Sequence, residues 1–273
     1  MKKKQKKDAG GRRSEPRLRA DRGEWIYGRR PVSEVLKAGV RHIYEAVLPL
    51  ERPHKQDMPA IRQALQAGNI PCRFAGRDDL DEICNGGNHQ GVALRTGGFP
   101  YISFDQIIHD VKKNPDALVI ILDHIEDPQN TGSILRTAET AGVTGIVMPE
   151  NRSAGITPAV VRASAGASEY MRVARVVNLT RSVKNLQNAG CWVTALDMGK
   201  NTRNYTDIDF NGRIALVVGS EGNGVSRLVL ETSDFAASLP MAGRIASLNA
   251  AVAAAVVMYE VGRQRREKTE FRQ

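Results

Sequence analysis

Ala117-Leu118-Val119-Ile120-Ile121-Leu122 runs straight into Asp123-His124-Ile125-Glu126-Asp127-Pro128-Gln129-Asn130-Thr131-Gly132, and this junction decides the fold. Six consecutive apolar residues without polar alternation describe a strand buried on both faces, as in a parallel sheet covered by helices on each side. The polar run then passes into a helix pattern over 132–141 that Gly142 stops. Further strand patterns follow at 146–148, 173–177, 192–196 and 214–218, and further helix patterns open at Thr157-Pro158 and span 181–189 and 247–263. This alternation predicts an α/β domain with a mainly parallel sheet over 117–267.

Upstream of that junction the pattern predicts a second, smaller α/β unit over 24–97. Pro31 opens a helix that ends at Gly39, a strand covers 42–48, and a helix over 58–67 stops at Gly68. A strand at 70–74, a helix at 78–84 and a closing strand at 91–95 complete it. The stretch 98–116 is expected as a linker, helical in part around 104–111.

The chain has 273 residues, 41% hydrophobic, 25% charged and 5% aromatic, with a net charge of +9. That composition excludes a disordered chain, and three cysteines without metal-type spacing exclude a disulfide scaffold or zinc module. No apolar run is long enough to span a membrane, and the amino terminus has no apolar segment after its lysines, so a cytoplasmic setting is expected. The charge is unevenly placed: five Lys and five Arg against three acids give residues 1–23 an excess of +7, and five basic against two acidic groups give residues 262–273 an excess of +3, which leaves the body at −1. Residues 1–23 and 268–273 are expected as tails, the first disordered, since they have little apolar surface to offset ordering entropy. Such a tail attracts a polyanion such as RNA, in a salt-dependent way, or serves as a solubiliser; an anionic membrane is the weaker third option, because no amphipathic helix or lipidation motif accompanies the charge.

Ligands of open α/β sheets bind beyond the carboxyl ends of strands. Three such segments stand out: 123–132 with the helix that carries Arg136, Gly219-Ser220-Glu221-Gly222-Asn223-Gly224, and Leu239-Pro240-Met241-Ala242-Gly243-Arg244-Ile245-Ala246-Ser247-Leu248-Asn249. None has the Gly-Lys-Ser/Thr of a phosphate-binding loop or the GxGxxG of a dinucleotide fold, which disfavours nucleotide hydrolysis. Taken singly, each has an ordinary structural explanation. The glycine loop could be a turn, Asn130 a helix cap and Arg136 a solvated helix residue.

Together, in this order and spacing, the three segments resemble the SpoU branch of the SPOUT superfamily of RNA 2′-O-methyltransferases. Its first motif is similar to 130–136, its second to 219–224 and its third to 239–249. The resemblance extends to Val161-Arg162-Ala163-Ser164-Ala165-Gly166-Ala167-Ser168-Glu169. In the front unit, Ile26-Tyr27-Gly28-Arg29-Arg30-Pro31-Val32 and Asn88-His89-Gln90-Gly91-Val92 resemble a ribosomal-protein-like substrate-binding domain. The match covers about residues 24–266 and is nearest to bacterial enzymes that methylate guanosine in 23S rRNA. One departure is Ala250-Ala251, where many members continue with Val-Ser.

The resemblance implies a trefoil knot at the carboxyl end of the second domain, S-adenosylmethionine as cofactor, no metal, a homodimer and an RNA substrate. Carried over, Gly219, Leu239 and Leu248 contact the cofactor. Arg136 is the catalytic arginine, and Asn130, Glu221, Ser247 and Asn249 orient it and the cofactor loop. A guanidinium with a pKa above about 12 is an awkward base, so Arg136 is expected to bind phosphate and stabilise the developing alkoxide, with direct proton acceptance the other possibility. Arg29 and Arg30 are candidate RNA contacts or solvated residues. Alternatives to rRNA methylation are a tRNA ribose methyltransferase and a non-catalytic ribosome-assembly protein.

Overall fold

A computed structural model describes residues 23–50, 57–199, 201–245 and 247–270. Residues 1–22 of the expected basic tail and 271–273 of the carboxyl-terminal tail lie outside the described residues.

The front sheet consists of β1 (Glu24–Tyr27), β2 (Ile43–Pro49), β3 (Cys72–Ala75) and β4 (Ala93–Thr96), in the order β1-β4-β2-β3. Only β2 and β3 run parallel. Residues along β2 alternate between two cores, as the twofold period of a strand requires. Ala46 and Leu48 pack with α1 (Arg29–Ala38) and α2 (Asp57–Ala67), while Val47 packs with Leu80 of α3 (Arg77–Ile83).

The rear sheet has seven parallel strands, β5 (Leu118–Asp123), β6 (Gly145–Pro149), β7 (Val173–Val176), β8 (Trp192–Leu196), β9 (Arg203–Asn204), β10 (Ile214–Gly219) and β11 (Phe235–Ser238), ordered β7-β6-β5-β10-β8-β11-β9. As the apolar run predicts, β5 is buried throughout. Leu118, Ile120 and Leu122 join one core and Val119 and Ile121 the other. The helices around this sheet are α4 (Phe104–Lys113), α5 (Pro128–Thr140), α6 (Pro158–Ala163), α7 (Leu179–Asn188), α8 (Arg227–Thr232) and α9 (Ala250–Glu270). Within the stretch expected as a linker, α4 sinks Ile107 and Val111 into the second core.

Two helix starts depart most from the sequence reading. α5 starts at Pro128 because Asp127 accepts hydrogen bonds from the amides of Gln129 (3.1 Å) and Asn130 (3.0 Å), and Pro128 suits the first helical position. α9 starts at Ala250 rather than Ser247, because the Asn249 side-chain oxygen accepts from the amides of Ala251 (2.9 Å) and Val252 (3.2 Å). It also continues past Arg263 to Glu270.

A buried ion pair fastens the two sheets together. Arg41 of the front unit donates to Glu169 from Nε (2.8 Å) and Nη2 (3.0 Å), and its Nη1 reaches Glu24 (2.9 Å) and the Gly97 carbonyl (3.2 Å). Beside this pair, Tyr170 donates its hydroxyl to Glu34 (2.7 Å), so the seam is polar as well as apolar.

Candidate active site

β10, β8 and β11 lie side by side, and the three loops that leave their carboxyl ends enclose a cavity of about 660 Å³. Gly219, Leu239, Ser247, Leu248 and Asn249 line it, as does Glu221. Six of the eight residues singled out by the sequence therefore converge on one space.

The glycine loop has a definite geometry. Ser220 and Gly224 exchange backbone hydrogen bonds of 3.1 and 2.9 Å, and the turn between them uses positive φ at Gly222 (89°) and Gly224 (65°). A Cβ on Gly219 would lie 2.1 Å from the Gly224 carbonyl carbon, so glycine is needed there for the loop to close on its own stem. This hairpin carries Glu221 towards two amides. Asn130 donates from Nδ2 to Glu221 Oε1 (3.0 Å), and Asn249 donates from Nδ2 to Asn130 Oδ1 (2.8 Å) and also to Glu221 Oε1.

Asn130 does not cap α5, since Asp127 does, and its side chain is left free for this trio. Asn249 serves twice, with its oxygen on the first turn of α9 and its nitrogen in the trio. One polar cluster thereby joins the first turn of α5 to the loops after β10 and β11.

Arg136 is placed elsewhere. It lies on α5 six residues beyond Asn130, hence on another side of the helix, is exposed, and has no side-chain hydrogen bond or ion pair among the described residues. Within one chain, Asn130, Glu221 and Asn249 hydrogen-bond one another, and none of them bonds Arg136 among the described residues. Ser247 is exposed at the cavity and likewise has no side-chain hydrogen bond among the described residues.

Asp123 was missed by the sequence reading. At the end of β5 its side chain is wholly buried, accepts from the Ser226 amide (2.6 Å) and contacts His124 Nδ1 (2.5 Å), which ties the first loop to the base of the second. Its signal was a lone carboxylate closing an apolar strand. Cys84 and Cys191 are buried, and burial pushes both thiols up to about 11, so neither supplies a thiolate at neutral pH. Among the described residues no group of three or more His, Cys, Asp or Glu could hold a metal ion, and no helix is long and apolar enough to cross a membrane.

Residues 117–259 match the family model described as the SpoU rRNA Methylase family, and residues 25–102 match that for RNA 2′-O ribose methyltransferase substrate binding. YacO of Bacillus subtilis (strain 168), named for the TrmH family of tRNA/rRNA methyltransferases, is 40% identical over 89% of this chain and 96% of its own. The SpoU methyltransferase AviRb from Streptomyces viridochromogenes, solved in complex with the cofactor AdoMet, matches with a TM-score of 0.76 at 26% identity, over 91% of this chain and 92% of its own. The A. aeolicus TrmH/SpoU tRNA modifying enzyme matches with a TM-score of 0.53 at 27% identity, over 62% of this chain and 86% of its own. The second and third motif loops meet at one cavity and the family model spans more than half of the sequence: the chain belongs to the SpoU rRNA methylase family of RNA methyltransferases, enzymes that use S-adenosylmethionine.

Proposed function

We propose that this protein transfers a methyl group from S-adenosylmethionine to the ribose 2′-hydroxyl of a guanosine in 23S rRNA. The observation that carries the reading is the Asn130–Glu221–Asn249 trio at the wall of the 660 Å³ cavity. The cavity fits the cofactor: Leu239 and Leu248 offer apolar surface for an adenine, loop backbone offers hydrogen bonds, and Glu221 offers negative charge towards a cation. When bound, S-adenosylmethionine supplies a methyl group on a positively charged sulfur.

The chain supplies position and charge. Gly219, Leu239 and Leu248 hold the cofactor, while Asn130, Glu221, Ser247 and Asn249 fix the loops around the reacting hydroxyl. Arg136 binds the adjoining phosphate and stabilises the alkoxide. The division of labour follows the chain, with 24–97 binding RNA, 98–116 connecting and 117–267 performing the transfer in the cytoplasm.

A homodimer completes this reading. Val252, Val256 and Tyr259 form an exposed stripe on α9 at helical spacing, and Tyr259 reaches Thr140 (3.4 Å) on the helix that carries Arg136. A second copy covering that stripe would stand beside Arg136. Light scattering that reports a monomer of 29.9 kDa at micromolar concentration would remove the dimer. The family's trefoil knot is proposed for the carboxyl end of the rear domain, where Asn249 is tied to Glu221.

A tRNA substrate is the second reading. It is disfavoured because the tRNA modifying enzyme above aligns with only 62% of this chain, a share that the rear sheet and its helices nearly fill. A non-catalytic assembly protein would have no use for the trio. Mass-spectrometric mapping of ribose methylation in cells lacking the protein tests all three. A missing guanosine mark in 23S rRNA is expected, a missing tRNA mark moves the substrate, and an unchanged map overturns methyl transfer. Deleting residues 1–23 is expected to weaken RNA binding at low salt and spare cofactor binding; unchanged RNA affinity makes the tail a solubiliser.

A further inference from the structure

The cavity of about 660 Å³ is lined by two carboxylates and, among the described residues, by no Lys, Arg or His. One of the two, Glu221, is taken up by the amides of Asn130 and Asn249. The other, Asp197, keeps an oxygen unused. It follows β8 directly and is half-buried, its amide donates to the Ala237 carbonyl (3.0 Å), and its Oδ2 accepts from the Gly199 amide (3.1 Å). These two bonds hold the residue in place at the cavity. Its Oδ1 has no hydrogen bond or ion pair among the described residues, and it faces the glycine hairpin, 3.7 Å from where a Cβ on Gly224 would stand.

Strand order decides what this carboxylate meets. β8 lies between β10 and β11, and Leu196 is level with Val218 on one side and with Ala237 on the other. One residue further on, Asp197 stands between Gly219, the stem of the hairpin that presents Glu221, and Ser238, which leads to Leu239. Each neighbour is one strand spacing away, about 4.8 Å. S-adenosylmethionine has its parts in the same order, with a positively charged sulfur, then a ribose, then an adenine. With the sulfur towards Glu221 and the adenine against Leu239 and Leu248, the ribose falls to Asp197.

An ionised carboxylate only accepts hydrogen bonds, and one of its oxygens has room for two, which matches a pair of hydroxyl donors on adjacent carbons. We propose that Asp197 binds the 2′- and 3′-hydroxyls of the cofactor ribose, with Oδ1 as the acceptor. The inference rests on the methyltransferase reading above and adds to it the side chain that recognises the middle of the cofactor. It also explains a cavity with two carboxylates and no cation: the site suits a nucleoside with free hydroxyls and repels one that carries a phosphate.

Titration calorimetry with S-adenosylhomocysteine, its 2′,3′-dideoxy analogue and 5′-methylthioadenosine tests the assignment. The wild-type protein is expected to bind S-adenosylhomocysteine more tightly than the dideoxy analogue. Asp197→Ala, and the isosteric Asp197→Asn that can still accept from the Gly199 amide, are expected to weaken S-adenosylhomocysteine about tenfold, as the loss of a hydrogen bond to a charged acceptor requires. The dideoxy analogue should be unaffected by either variant. 5′-Methylthioadenosine, which has the ribose but no amino acid, should lose the same factor as S-adenosylhomocysteine. A loss shared by the dideoxy analogue shows a merely structural role, and a loss absent from 5′-methylthioadenosine shows that the carboxylate holds the amino group. Either result overturns the assignment, as does unchanged affinity in both variants, while the methyltransferase reading stands. No binding of S-adenosylhomocysteine by the wild type removes both.

Discussion

The polar trio at the wall of the 660 Å³ cavity and the seam between the two sheets are both built from polar side chains far apart in sequence, and they differ in what is left unused. At the seam, Arg41 and Glu169 have no side-chain exposure, each guanidinium nitrogen of Arg41 has an acceptor, and the Phe99 ring lies 5.4 Å away. At the wall, Glu221 and Asn249 are exposed, two amides share one Glu221 oxygen, and Ser247 stands at the same cavity without a side-chain hydrogen bond among the described residues. A saturated, sealed network holds a structure together. An open one with spare donors and acceptors waits for a ligand to complete it.

That contrast can be broken at the seam first. Glu169→Ala leaves a buried guanidinium without its main counter-charge and is expected to cost about 3–5 kcal/mol, read as a shift in a urea unfolding curve. Replacing both partners, Arg41→Met with Glu169→Leu, should recover most of the loss; a wild-type curve for the single variant refutes the clasp. At the site the effect should be catalytic instead. Arg136→Ala is expected to lower methyl transfer at least about a hundredfold, some 2.7 kcal/mol, with cofactor affinity and melting temperature nearly unchanged. Normal turnover of radiolabelled methyl groups would remove Arg136 from its role.

Asn249→Ala sharpens the comparison because Asn249 belongs to both the site and the scaffold. Loss of the cap on α9 should cost about 1 kcal/mol of stability, and loss of the tie to Glu221 should also weaken cofactor binding. A change in only one of the two measurements would separate the roles. The smallest effect is expected from Tyr170 at the edge of the seam. Burial, and then its hydrogen bond to the Glu34 carboxylate, push the Tyr170 phenol up to about 12, above the value near 10 of an unfolded chain. Its contribution is therefore complete below pH 10 and lost as pH rises from 10 to 12. Tyr170→Phe should flatten that part of the stability profile relative to wild type, and identical slopes would contradict the assignment.

The sequence showed the open region better than the sealed one. The apolar run 117–122 and its polar successor placed the central strand and the first loop, and the three glycines of 219–224 marked the hairpin that presents Glu221. Loops beyond parallel strands have local signals because their backbones need particular residues. The seam has none: Arg41 and Glu169 are 128 residues apart, and an isolated Arg or Glu reads as solvated surface until the partner is seen. β11, with Phe-Ala-Ala-Ser, is too short and too poor in branched residues to read as a strand from pattern, yet it borders the 660 Å³ cavity. Asp127 was overlooked as the cap of α5 because Asn130, three residues on, is an equally good capping type.

The double duty of Asn249 also bears on how the molecule assembles. Its oxygen starts the last helix while its nitrogen reaches Glu221 and Asn130, 28 and 119 residues away, so nucleation of that helix and closure of the cavity wall are a single event. Contacts of such separation form slowly, since a long loop must close before any of them is rewarded. During refolding, helix signal from α5 and α7 should return before the protein can hold its cofactor, and the delay between the two measures the time the chain takes to bring its last helix home.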